Sequence, residues 1–180
     1  MGSKISEKIL GGLIAQKAPS RYGVFFTETR VLFGRIGSIP LGFTLIVISA
    51  ALGLLCALYA LAESGLLDSP SLITFFFMMF IPALFIFAAA RIWTYFTKNK
   101  FLKFGGSPSE TILAVDKKNF QIPYSDILRV EIKKGSFARM PKMIIQTTKE
   151  KYDFNLVEKH KYESQLNLVR SSLPQKTYVV

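Results

Sequence analysis

The sequence predicts an α+β membrane protein: a two-helix transmembrane hairpin carried by a cytoplasmic β-domain of about seven strands with a C-terminal helix. Three observations lead there. Half of the 180 residues are hydrophobic and only 19% are charged, and mean hydropathy is +0.32. The oily residues are concentrated, because between Arg35 and Arg91 there is no Lys or Arg and the only acids are Glu63 and Asp68. On either side of that interval the pattern changes to short runs that alternate apolar and polar, the period of half-buried strands.

At the N-terminus, Ser6–Gln16 reads as an amphipathic segment in which Ile9, Leu13 and Ile14 share a helical face, weakened by Gly11-Gly12. Next come two β-rich runs, Tyr22–Phe26 and Arg30–Arg35, around the polar Thr27-Glu28-Thr29, which marks a tight hairpin. A lone hairpin is marginal in water, so these strands must join a larger sheet.

The first long apolar run, Ile39–Ala62, has 24 uncharged residues, about 36 Å as a helix against a hydrocarbon core of about 30 Å. A second, Leu72–Ala90, has 19, about 28 Å, and carries Phe75, Phe76, Phe77, Phe80, Phe85 and Phe87 as lipid or helix contacts. The first run begins too late and is too long for a cleavable signal. Pro82 is compatible with a membrane helix and is expected to bend it. Arg91, beside Trp93 and Tyr95, is expected to reach for the headgroups. The connection from Glu63 to Ser71 holds two acids and no base, whereas Arg30, Arg35, Lys98, Lys100 and Lys103 flank the spans. The positive-inside rule therefore puts both chain ends in the cytoplasm of a multi-pass plasma-membrane protein.

After a flexible linker containing Gly105-Gly106-Ser107-Pro108, Thr111–Val115 reads as a strand, Asp116–Asn119 as a turn and Phe120–Ile122 as a short strand. Pro123 then starts a turn or single helical coil, PYSDI. From Leu128 the alternation is regular, with Leu128, Val130 and Ile132 on one face and Arg129, Glu131 and Lys133 on the other. Lys142–Thr147 and Lys151–Leu156 form a hairpin. In Val157–Leu173 the period becomes helical, with Tyr162, Leu166, Val169 and Leu173 on one stripe and Pro174 ending it. The resulting organisation is a cytoplasmic segment 1–21, strands in 22–36, a hairpin 37–96 with spans near 39–62 and 72–95, a linker 97–110, the rest of the domain 111–173 and a tail 174–180. Antiparallel helices leave and re-enter the cytoplasm about 10 Å apart, so one sheet can include strands from both sides of the hairpin.

Three stretches carry a family resemblance: YGVFFTETRVLFGRI, ILAVDKKNFQIPYSDILRVEIKKG and MIIQTTKEKYDFNLVEKHKYESQLNLV. They resemble the prokaryotic PH-like (bPH/GRAM-like) membrane proteins, whose hairpin is matched by Thr27 and Arg30 and whose I-P-Y-x-D-I turn is matched by Ile122–Ile127. The resemblance implies a seven-stranded PH-like sandwich or barrel closed by one helix. The loop between the first two strands is short and partly acidic here, which departs from phosphoinositide-binding PH domains.

Catalytic, cofactor and metal groups are not expected. His160 lies in the charged run EKHK, Cys56 lies inside a span, and the sequence contains no metal-spaced Cys/His cluster, phosphate loop or nucleophile elbow. The net charge of +11 flanks the spans, which matches anionic headgroups, and no nucleic-acid reader motif accompanies it. One loop stands out. In KKGSFARMPK the cations Lys133, Lys134, Arg139 and Lys142 surround Phe137 and Met140, a pattern suited to a partner protein or to a headgroup boundary. The function expected is a non-enzymatic accessory or assembly subunit whose domain binds protein partners in a membrane complex or homo-oligomer. The alternatives are an anionic-lipid-sensing module and, more remotely, an oligomeric channel or transporter component.

Overall fold

The computed structural model describes residues 7–63, 72–136 and 139–179. It divides into two compact units, Met1–Ser38 with Asn99–Val180, and Ile39–Lys98.

The second unit is built from two helices, α1 (Ile39–Glu63) and the first part of α2 (Leu72–Gly105). Both are long and apolar enough to cross a membrane. They pack closely where small residues allow it. A Cβ on Gly53 would lie 2.7 Å from the Pro82 backbone, and one on Gly42 would lie 2.8 Å from the Trp93 ring. Away from this seam the surface is oily, with Phe43, Leu55, Tyr59, Met79, Phe87 and Phe96 exposed. Such a face is costly in water and satisfied in lipid. The Arg91 guanidinium lies 5.1 Å from the centre of the Phe87 ring. Phe75, Phe76 and Phe77 fall in α2, and their side chains lie outside the described ones, as does the connection 64–71.

The first unit contains, among the described residues, one eight-stranded mixed sheet and two shorter helices. The strands are β1 (Gly11–Lys17), β2 (Ser20–Phe26), β3 (Arg30–Ser38), β4 (Phe120–Pro123), β5 (Ile127–Lys133), β6 (Lys142–Thr147), β7 (Lys151–Leu156) and β8 (Thr177–Val179). Their order is β4-β3-β2-β1-β7-β6-β5-β8. Every pairing is antiparallel except β5 with β8. Strands from both sides of the apolar helices thus share one sheet. The helices are α3 (Ser109–Val115) and α4 (Tyr162–Ser172).

The inner face of the sheet encloses the main core. Phe33 stacks on Phe120 at 4.4 Å and on Phe154 at 5.1 Å, and Phe120 stacks on Tyr152 at 5.5 Å. Because β4 and β7 are four places apart in the sheet, about 19 Å if it were flat, that last contact requires the sheet to curl over its own core. Tyr162, Leu166, Val169 and Leu173 of α4 complete this cluster, as their spacing requires.

The outer face holds a smaller core across β1–β3. Gly12, Gly23 and Gly34 leave room there for aromatic rings: a Cβ on Gly23 would come within 2.9 Å of Phe101, and one on Gly34 within 2.8 Å of Phe104. Phe25 stacks on Phe101 at 5.0 Å, and Ile112 of α3 is fully buried beside Phe104 and Leu32.

Several expectations change. Residues 11–17 are a strand, so Leu13 and Ile14 face opposite sides of the sheet rather than one helical stripe. Thr111–Val115 is helical because the place beside β3 is taken by β4, leaving α3 to cover the outer face. Leu128 is exposed, because a register shift between Ile127 and Arg129 inserts one residue and turns Ile127, Val130 and Ile132 inward instead. Residues 97–105 belong to α2, and Phe101 and Phe104 pack in the domain. The tail supplies an eighth strand, β8.

Candidate functional site

The turn motifs fold as anchors. After Pro123, Tyr124–Asp126 make one 3-10 turn. The Tyr124 hydroxyl donates to the Thr27 carbonyl (2.8 Å), and the Lys176 ammonium donates to the carbonyls of Tyr124 (2.8 Å) and Ile127 (2.6 Å). Burial is the main cause that pushes the Tyr124 phenol up to about 12. In the β2–β3 hairpin, the Arg30 amide donates to Thr27 Oγ1 (3.2 Å), and the Arg30 guanidinium holds Glu7 (3.1 Å) and Gln121 (2.6 Å). Burial pushes the Glu7 carboxyl up, but hydrogen bonds from Thr27 and Thr29 and the charge of Arg30 outweigh it and hold the group below its usual value. The Asp116–Asn119 turn is tied back similarly. Asn119 accepts from the Arg35 amide (2.7 Å) and donates to the Ile112 carbonyl (2.5 Å). These groups are consumed in joining segments far apart in the chain.

The Gly105-Gly106-Ser107-Pro108 stretch ends α2 rather than forming an open tether. The Gly106 and Ser107 amides donate to the carbonyls of Leu102 (3.2 Å) and Phe104 (3.0 Å). His160 is exposed in the turn Lys159–Lys161, and Cys56 is exposed on α1.

The 133–142 loop joins β5 to β6. Lys133 and Lys142 are cross-strand partners, an arrangement of like charges that is unfavourable by itself. Each leans on an acid of the same face, Lys133 on Glu131 at 3.9 Å and Lys142 on Asp153 at 3.3 Å. Lys134 and Arg139 make no ion pair among the described residues. These four cations, with Met140 and Asn155, border a cleft of about 490 Å³. The loop closes tightly at its base, since a Cβ on Gly135 would lie 2.5 Å from the Arg139 carbonyl oxygen. Met140 is exposed; Phe137 lies outside the described residues.

The structure therefore brings Lys133, Lys134, Arg139, Met140 and Lys142 together. Asn155 joins them from β7 and was not singled out by sequence reasoning, because nothing local links it to a loop 13 residues earlier. The cleft can attract an anion and offers hydrogen-bond donors to it. Compared with known proteins, the chain matches no family model, no curated protein and no solved structure.

Proposed function

We propose that the chain is a non-enzymatic, multi-pass protein of the cell membrane whose cytoplasmic PH-like domain binds a protein partner, as an accessory or assembly subunit of a membrane complex. The observation that carries this reading is the continuity of one sheet across two apolar helices. Such a domain is tied to its anchor at two points and is held at the membrane by construction. The strand order β4-β3-β2-β1-β7-β6-β5, with one C-terminal helix in its core, favours the PH-like reading. The acidic connection and basic flanks favour cytoplasmic termini.

The binding role is supported by the sheet's edges. At one end β4 is short and carries Pro123, which blunts it. At the other, β8 presents an unpaired side with Tyr178 and Val179 about half exposed, the kind of edge to which a partner strand adds. Purification of the tagged full chain from membranes in mild detergent tests the proposal. A partner retained at native expression and lost on Val179→Pro, whose amide faces the open edge, is the expected result. Migration alone at every ionic strength would overturn the accessory role.

A further inference from the structure

The pairing registers place five polar side chains in one line. Lys133 faces Lys142, Lys142 faces Asn155, Asn155 faces Gln16 and Gln16 faces Arg21. Cross-strand partners point to the same side of a sheet. Their strand neighbours Ile132, Met143, Phe154, Ala15 and Tyr22 belong to the inner core, so the line runs across the outer face. It spans four inter-strand steps, about 19 Å measured along the curled sheet. Beyond Arg21 the register continues to Gly37, which is followed by Ser38 and then by Ile39, the first residue of α1. Two residues of chain reach about 7 Å.

The line is basic at both ends. At one end lies the cleft of about 490 Å³ with Lys133, Lys134, Arg139 and Lys142. At the other, Arg21 has a buried Nε with no hydrogen-bond partner, and burial lowers its proton affinity below the usual value. A guanidinium offers a planar fork of donors that matches a phosphate. Of the acids near the line, the half-buried Glu131 lies closer to Arg129 (3.2 Å) than to Lys133 (3.9 Å), and Asp153 pairs with Lys142 in exposed geometry, where an ion pair is weak and exchangeable.

We infer that this basic lane binds the phosphates of anionic lipid headgroups, one near Arg21 and another in the 133–142 cleft. The inference rests on the membrane reading above but not on the accessory role. A 19 Å row is too long for one free phosphate, whereas a lipid surface offers several phosphates side by side. Gly37, the cross-strand partner of Arg21, is two residues from α1 in the chain, and each cation brought near an anionic leaflet strengthens attraction to it.

The test uses the full chain in mild detergent, titrated with short-chain phosphatidylglycerol, short-chain phosphatidylcholine or inorganic phosphate, with lipid retention read by native mass spectrometry and by the thermal-unfolding shift. The expected result is a preference for phosphatidylglycerol over phosphatidylcholine of tenfold or more. Changing Lys133, Lys134, Arg139 and Lys142 together to Ser should reduce that affinity by roughly fivefold per cation, and Arg21→Gln should cost a further few-fold. Lys117→Ser with Lys118→Ser, in the turn before β4, should leave it unchanged. A fourfold variant that keeps the wild-type preference overturns the inference, as does equal binding of the two lipids. Competition by inorganic phosphate at equal phosphate concentration would make this a free-anion site and would also overturn it. Carbonate washing of membranes separates the two levels. Release of the chain would remove the membrane reading itself, while retention without lipid preference would remove the lane alone.

Discussion

The two faces of the sheet solve different problems with neighbouring residues. Phe33 and Gly34 are adjacent in β3, yet Phe33 is buried in an aromatic stack on the inner face, whereas Gly34 leaves space on the outer face for Phe104 and Ile112. The inner face is sealed by large side chains that the sheet itself supplies, with α4 closing the cluster. The outer face is divided. Across β1–β3 it is a glycine-floored seat for rings from the end of α2, and from Arg21 on β2 through β1, β7 and β6 to β5 it carries the polar lane. Burial on one face therefore depends on the sheet's own sequence, and on the other it depends on an element whose start lies far away in the chain.

The largest way to break that comparison is Phe33→Ala. It empties an interior position between two stacked rings and should destabilise the domain by about 3–5 kcal/mol, read as lost hydrogen-exchange protection of the β2–β4 amides in detergent-solubilised full chain. Gly34→Val acts next door in the opposite sense, crowding Phe104 and Ile112. Overpacking should cost about 1–3 kcal/mol, and pairing it with Phe104→Ala should recover part of the loss if the seat is shared. No recovery would mean that the two residues do not interact.

Gln165→Leu sharpens the picture of the inner face. Gln165 is buried on α4 and neither end of its amide has a hydrogen-bond partner. Since an unsatisfied buried amide is costly, the apolar replacement should raise stability by about 1 kcal/mol, seen as a higher melting temperature. The smallest effect is expected on the wet half of the outer face. Lys142→Ser removes one exposed pair with Asp153 and one like-charge contact with Lys133, so stability should change by less than about 0.5 kcal/mol. A larger loss would show that the lane is structural rather than a surface open to ligand.

Much of the architecture was legible in local pattern. The apolar helices, the β2–β3 hairpin, the turn after Pro123, the β6–β7 hairpin and the stripe of α4 all follow from composition or period. The misses have physical causes. In residues 11–17 the double glycine argued against a helix without announcing a strand, because its role is to admit Leu168, Phe25 and Phe101. Thr111–Val115 has β-favouring residues, but a strand needs a free neighbour and β3 is already paired with β4. Alternation alone points Leu128 inward, because a bulge cannot be seen in an alternating run. Of the candidate site, the loop cations were visible as a cluster, while Arg21, Gln16 and Asn155 were not, since register alone aligns them.

By itself, the sequence determined where the chain is too oily for water, which segments alternate and which residues α4 buries, because hydrophobicity and periodicity are local properties. Only the tertiary structure decided that strands on both sides of the apolar helices form one sheet, that the end of α2 belongs to its outer core, and that cations from three strands and a loop fall along one face. Those outcomes depend on which strand edges meet and in which register, and pairing between residues more than a hundred positions apart leaves no mark on either segment alone.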